Sequence, residues 1–244
     1  MLVRFVGSGD AFGSGGRFQT CIWMEAAGQS VLVDCGASSL VAMRQRGLEP
    51  SDVDAVLLTH LHGDHFGGVP FLLLEGQFSG RTRPLVIAGP PGVRERVTAC
   101  MEVLFPGSSK VDRRFETRYV ELPADLTPVA IGPASVSAIE VSHASGAPPL
   151  ALRVRSGGRT LAYSGDTAWT DALVEVARGA DLFVCEAYTF DRKIRYHLDY
   201  STLREHLPRI EARHVMLTHL SADMLAHVPE VDLPVAADGL TLHL

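Results

Sequence analysis

The stretch Thr59–Gly68, THLHGDHFGG, decides how this chain is read. His60, His62, Asp64 and His65 fall within six positions of a chain that has ten histidines. Chance produces His-x-His-x-Asp-His in such a chain on the order of one time in a thousand, so the spacing carries information. Ala55–Leu58 just before it is a short apolar run of strand character. Backbone leaving a strand is extended, and side chains two apart then point the same way, so His60 and His62 can converge. Gly63 permits a sharp turn, after which Asp64 and His65 face a second position beside the first. Imidazole suits zinc, and a carboxylate adds a hard anionic donor.

A metal site of this kind needs more donors, and the chain offers them at matching places. His143 ends the β-run Val136–Ser142, Asp166 follows a strand-like run in SGDT, and His219 follows Val215–Leu217 in LTHLS. Each stands just past the carboxyl end of an apolar run, where loops gather functional side chains above a rigid sheet.

Composition sets the frame. With 244 residues, 46% hydrophobic and 20% charged, one globular domain spanning 1–244 is expected, with a core large enough to need no staples. The apolar content excludes disorder, and the absence of a glycine period excludes a collagen-like fibre. Twenty-two basic against twenty-eight acidic residues give a net charge of −6. That argues against a protein whose affinity comes from a broad basic nucleic-acid surface. The longest membrane candidate, Leu126–Ile139, is short and carries Pro128 and Pro133, so no membrane partner is expected. The opening MLVRFVGSGDAFG lacks an apolar signal region. Cys21, Cys35, Cys100 and Cys185 form no C-x-x-C pair and read as buried thiols in a reducing compartment, the cytoplasm.

Short β-like runs alternate with helical ones. Gln29–Val33, Leu85–Ala88, Leu150–Arg155 and Arg159–Ser164 read as strands, the last two joined by a Gly157–Gly158 hairpin. Ser38–Arg46, Val93–Leu104 and Thr170–Arg178 read as helices, and Ser201–His206 as one opened by a near capping box, S-x-x-x-E. Glu75–Thr82 and Phe105–Arg118 read as loops. The order suggests two sheets, mostly antiparallel, with helices outside.

Taken together, THLHGDHFGG, SHASG, SGDT and LTHLS resemble the metallo-β-lactamase superfamily, in order and over nearly the whole chain. The opening VRFVGSGDAFGSGGRFQT, the turn AGPPG, and the later segments CEAYTF and HLDYSTLREHL are similar to its ribonuclease Z-like branch. The resemblance implies an α/β fold, the αββα sandwich, with two mixed β-sheets and helices on both outer faces. It implies two divalent metal ions, zinc first and manganese or iron as alternatives. Carried over, His60, His62 and His143 would hold one ion, Asp64, His65 and His219 the other, and Asp166 would bridge them. Asp64 would also hold the bridging hydroxide. His197 matches an additional active-site histidine that donates to a phosphoryl oxygen or protonates the leaving alkoxide, and Glu186 matches the glutamate supporting it.

The chain also departs from that branch. Ribonuclease Z proper carries a long transfer-RNA-gripping arm between its third metal histidine and the bridging aspartate. Here His143 and Asp166 are twenty-three positions apart, with a tight hairpin between them. The reading favoured is therefore a dinuclear metal-dependent phosphodiesterase of small substrates, such as cyclic nucleotides or short nucleotide esters. Arg192, Lys193 and Arg195, beside His197, could meet a substrate phosphate. Hydrolysis of a carboxylic ester, lactone or thioester is the alternative, because the metal motif alone does not separate the two. A ribonuclease Z-type endonuclease and a non-catalytic metal scaffold rank lower, and folded nucleic acid is disfavoured as a partner. Apolar edges suggest a homodimer.

Overall fold

The computed structural model describes residues 1–244. In chain order the elements are β1 (Leu2–Gly7), β2 (Cys21–Ala26), β3 (Gln29–Val33), α1 (Ser39–Gln45), β4 (Ala55–Leu57), α2 (Gly63–Phe66) and α3 (Val69–Phe78). Then come β5 (Leu85–Gly89), α4 (Val93–Leu104), β6 (Thr117–Glu121), β7 (Val129–Ile131), β8 (Ala134–Glu140), β9 (Leu150–Ser156) and β10 (Arg159–Tyr163). The chain closes with α5 (Ala172–Ala177), β11 (Leu182–Glu186), α6 (Tyr200–His206), β12 (Val215–Thr218), α7 (Ala222–Ala226) and β13 (Thr241–His243).

One sheet has the order β13-β1-β2-β3-β4-β5-β6 and the other β12-β11-β10-β9-β8-β7. Both are mixed. The sequence suggested mostly antiparallel pairing, yet β3 through β6 run parallel, as do β10, β11 and β12. The cause is the placement of the helices. A helix fills each connection among these strands, and a helical crossover returns the chain in the same direction. β4 and β11 are buried along their whole length, as strands covered on both faces should be.

Three apolar layers hold the sandwich. Val33, Leu57, Val136, Leu152 and Leu161 lie in the layer between the sheets. Leu32, Val56, Leu73 and Val97 pack the first sheet against its helices, and Phe183, Leu173, Leu203 and Leu217 do so for the second. The result is the αββα sandwich. No helix is long and apolar enough to cross a membrane.

Several local readings need correction. Glu75–Phe78 is the last turn of α3, and β6 begins at Thr117 inside the second expected loop. The first six residues of α3, VPFLLL, are all apolar, so they show no helical stripe to read. The cap of α6 is Asp199, which accepts from Thr202 N at 2.9 Å, and no capping box from Ser201 is needed. Cys21, Cys35 and Cys185 are buried, but Cys100 on α4 is only partly covered.

Candidate metal centre and active site

The candidate residues gather at the edge shared by the carboxyl ends of strands from both sheets. β4 delivers His60 and His62, β8 delivers His143, β10 Asp166, β11 Glu186 and β12 His219. The turn after His62 becomes the single-turn α2, which carries Asp64 and His65. Facing donor atoms of His60, His62 and His143 lie within 4.8 Å of one another, as do those of Asp64, His65, Asp166 and His219. A third group joins Asp166, Glu186, His197 and His219 within the same limit. All nine residues singled out in the sequence thus meet in one cleft.

The rings are oriented from behind. Thr59 donates its hydroxyl to Asp34 at 2.8 Å, so toward His60 Nδ1, 3.0 Å away, it can only accept. Thr20 likewise donates to the Gly9 carbonyl and faces His219 Nδ1 at 3.2 Å. His143 Nδ1 donates to the Tyr196 carbonyl at 2.9 Å, and His65 Nδ1 to Asp34 at 2.7 Å. Four histidines therefore carry the Nδ1 proton outward and present Nε2 inward. Such outer partners fix tautomer and aim in metal sites.

The inward atoms test whether a cation fits. His60 Nε2, His65 Nε2 and Asp166 Oδ1 are buried with no hydrogen-bond partner, although buried polar atoms are nearly always paired. His65 Nε2 lies 3.2 Å from Asp166 Oδ1 and 3.3 Å from Asp64 Oδ2, and His219 Nε2 lies 3.3 Å from Asp166 Oδ2. His143 Nε2 faces His62 Nδ1 at 3.1 Å. Burial pushes His60 well below its ordinary range, so it is neutral, as a ligand imidazole must be. Burial opposes charge on His65 as well, but Asp166, Asp34 and Asp64 hold it well above that range. Two of these carboxylates, Asp64 and Asp166, converge on the inward Nε2 and call for positive charge there. Lone pairs and carboxylates converging without partners fit divalent metal binding.

Beside this cluster sits a histidine–glutamate pair. Glu186 is fully buried and accepts from His197 Nδ1 at 2.5 Å, from Thr167 N at 2.8 Å and from Leu198 N at 3.3 Å. Burial, then the charge of Asp166, push the Glu186 carboxyl up. On His197 burial works against charge, but the bond and charge of Glu186 prevail and hold the imidazole above its ordinary value. The His197 ring packs edge-on against His143 at 5.0 Å.

The basic run near His197 behaves unevenly. Lys193 is tied to Asp199 at 2.8 Å and serves the loop. Arg195 lies over the Tyr196 ring at 4.5 Å and lines, with Trp169 and His197, a cleft of about 560 Å³.

Sequence reasoning missed Asp34, Thr59, Thr20 and the Tyr196 carbonyl. Asp34 was findable, because it follows the apolar strand VLV as the other donors follow theirs. The threonines and the carbonyl leave no such signal. Two of these positions, Asp34 and Tyr196, and the predicted ligand His219 are conformationally special, with φ of 56°, 69° and 60°. Non-glycine residues seldom adopt that region, and such strain gathers at functional sites.

Fold and cleft together define a hydrolase of the metallo-β-lactamase superfamily, in its ribonuclease Z-like branch. The ribonuclease Z of Lachnoclostridium phytofermentans is 24% identical, with 86% of this chain and 84% of that protein covered. The ribonuclease Z of Methanothermobacter thermautotrophicus is 28% identical, covering 91% and 87%. Human tRNase Z, short form, superposes with a TM-score of 0.80 at 23% identity over 100% of this chain and 99% of that one. Within this branch the chain belongs to the family described as Anti-Pycsar protein Apyc1, which it matches over residues 1–232.

Proposed function

We propose that this protein is a dinuclear metal-dependent phosphodiesterase acting on small phosphodiesters, with cyclic nucleotides or short nucleotide esters as the substrate class. The observation that carries this reading is the Glu186–His197 pair set against the metal cluster. Either chemistry leaves an alkoxide to be protonated, but a carbonyl develops one oxyanion, whereas a phosphodiester presents two non-bridging oxygens and so has use for a donor beyond the metal cluster. Glu186 holds His197 Nδ1, which leaves Nε2 to donate to a phosphoryl oxygen or to the leaving alkoxide. Asp64, which is nine-tenths buried, would orient the attacking water. His60, His62 and His143 would hold one divalent ion, and Asp64, His65 and His219 a second, with Asp166 between them. Zinc is the first choice, manganese or iron the alternatives. Such ions supply Lewis acidity and an acidified water at neutral pH.

Substrate size follows from what the cleft lacks. Between His143 and Asp166 the chain makes only a short loop through Pro149, β9, β10 and their two-residue turn. No arm stands there to grip a folded RNA, and a net charge of −6 offers no broad basic surface.

The test is hydrolysis of bis-p-nitrophenyl phosphate and of cyclic nucleotides by protein loaded with zinc or manganese. Turnover should fall to background in His62→Ala, and kcat by about a hundredfold or more in His197→Ala. No metal-dependent turnover above the His62→Ala control rejects the reading. Active lactone or ester turnover indifferent to His197→Ala replaces it with carboxylic ester chemistry.

A further inference from the structure

Tyr188 lies two residues past Glu186, and none of the roles above uses it. Its backbone ties the two loops that flank the cleft. Tyr188 N donates to Leu198 O at 2.8 Å, next to His197, and Ser221 N donates to Tyr188 O at 3.0 Å, two residues past His219. Its ring is 4.6 Å from the His197 ring, tilted by 32°, and 6.1 Å from the His219 ring. The rings of His197 and His219 are themselves parallel within 4°. Tyr188 is half-buried. Its hydroxyl makes no hydrogen bond within the protein; burial, then the charges of Asp10, Glu186 and Asp166, push the phenol above its ordinary range. The hydroxyl is open to solvent rather than buried, so its donor is free beside the histidines of the cleft.

On the phosphodiesterase reading, we propose that Tyr188 is a second phosphoryl-contacting residue, its hydroxyl donating to a non-bridging oxygen while its ring braces His197. The two functions are separable. The hydroxyl should govern affinity for any phosphoryl anion. The ring should govern how well His197 is aimed, and hence turnover.

The experiment compares Tyr188→Phe and Tyr188→Leu in zinc-loaded protein. Its readouts are kcat and KM on bis-p-nitrophenyl phosphate, the Kd of inorganic phosphate by calorimetry, metal content and Tm. Tyr188→Phe should raise KM and the phosphate Kd on the order of tenfold, the scale of one hydrogen bond to a charged group. Its kcat, metal content and Tm should stay unchanged. Tyr188→Leu should show the same affinity loss with an added fall in kcat. A Tyr188→Phe variant within twofold of the parent in both KM and Kd overturns the hydroxyl contact. A Tyr188→Leu variant with the kcat of Tyr188→Phe overturns the brace. Should Tyr188→Leu fail to fold, the isosteric Tyr188→Phe still decides the contact. A parent protein without metal-dependent phosphodiester turnover defeats the functional reading instead, and the phosphate titration then judges Tyr188 by itself.

Discussion

Asp166 reaches three of the histidines: His65, His219 and, at 3.9 Å, His60. Replacing it with Asn keeps the shape and removes the charge that two cations would share. We expect Asp166→Asn to lose at least one metal equivalent, and elemental analysis finding two retained would contradict its bridging role. A second expectation concerns pH. His197 must be protonated to donate, so activity should fall as pH rises through its pKa. Glu186 holds that value above the ordinary histidine range, which is about 6.5. Glu186→Gln removes the raising charge, so the alkaline limb of the kcat profile should move to lower pH. A limb that stays in place would detach His197 from that role. At this scale the sequence was informative where chemistry is rare. Histidines and aspartates at strand ends stand out, whereas Thr59 and Thr20 look like any other threonine, and a backbone carbonyl such as that of Tyr196 has no letter at all.

The element that sets the geometry is the turn after β4, and glycines let it seat. Cys35 N donates to His65 O at 2.6 Å, and Gly68 N to Cys35 O at 2.8 Å, stitching the end of β3 to α2. A Cβ on Gly36 would stand 2.3 Å from the Asp64 carbonyl oxygen, a backbone atom that cannot step aside cheaply. Gly36→Ala should therefore displace Asp64 and His65, lowering Tm and selectively weakening the metal held by that pair. Metal stoichiometry and affinity equal to the parent protein would disprove the coupling. Element boundaries were legible where apolar runs alternate with turn residues, as at Gln29–Val33 and Val93–Leu104, which match the strand and helix observed. They were not legible in α3. Its apolar residues carry no helical period, because one face meets the core while Phe71 and Phe78 point into solvent.

Across the whole molecule, the outward faces of α3 and α4 carry four of the seven exposed large hydrophobic side chains. Phe71 and Phe78 on α3 and Val103 and Leu104 on α4 are all exposed, Phe78 and Val103 by about four-fifths. Surfaces of this kind mark association sites. Light scattering should find a homodimer, and Phe78→Asp with Val103→Asp should convert it to monomer; a parent protein that is monomeric at micromolar concentration would refute this. The αββα architecture itself was read through resemblance. Residue patterns alone gave two sheets with helices outside but not the parallel pairing, which depends on each intervening helix returning the chain in the same direction.

The interleaving of the two sheets also has a temporal side. Donors near residue 60 wait for His143, Asp166 and finally His219, which directly follows β12. A ribosome-bound fragment ending before that strand would hold the whole first trio, His60, His62 and His143, but lack His219, so the second donor group is completed only once the last strand of the second sheet has been made.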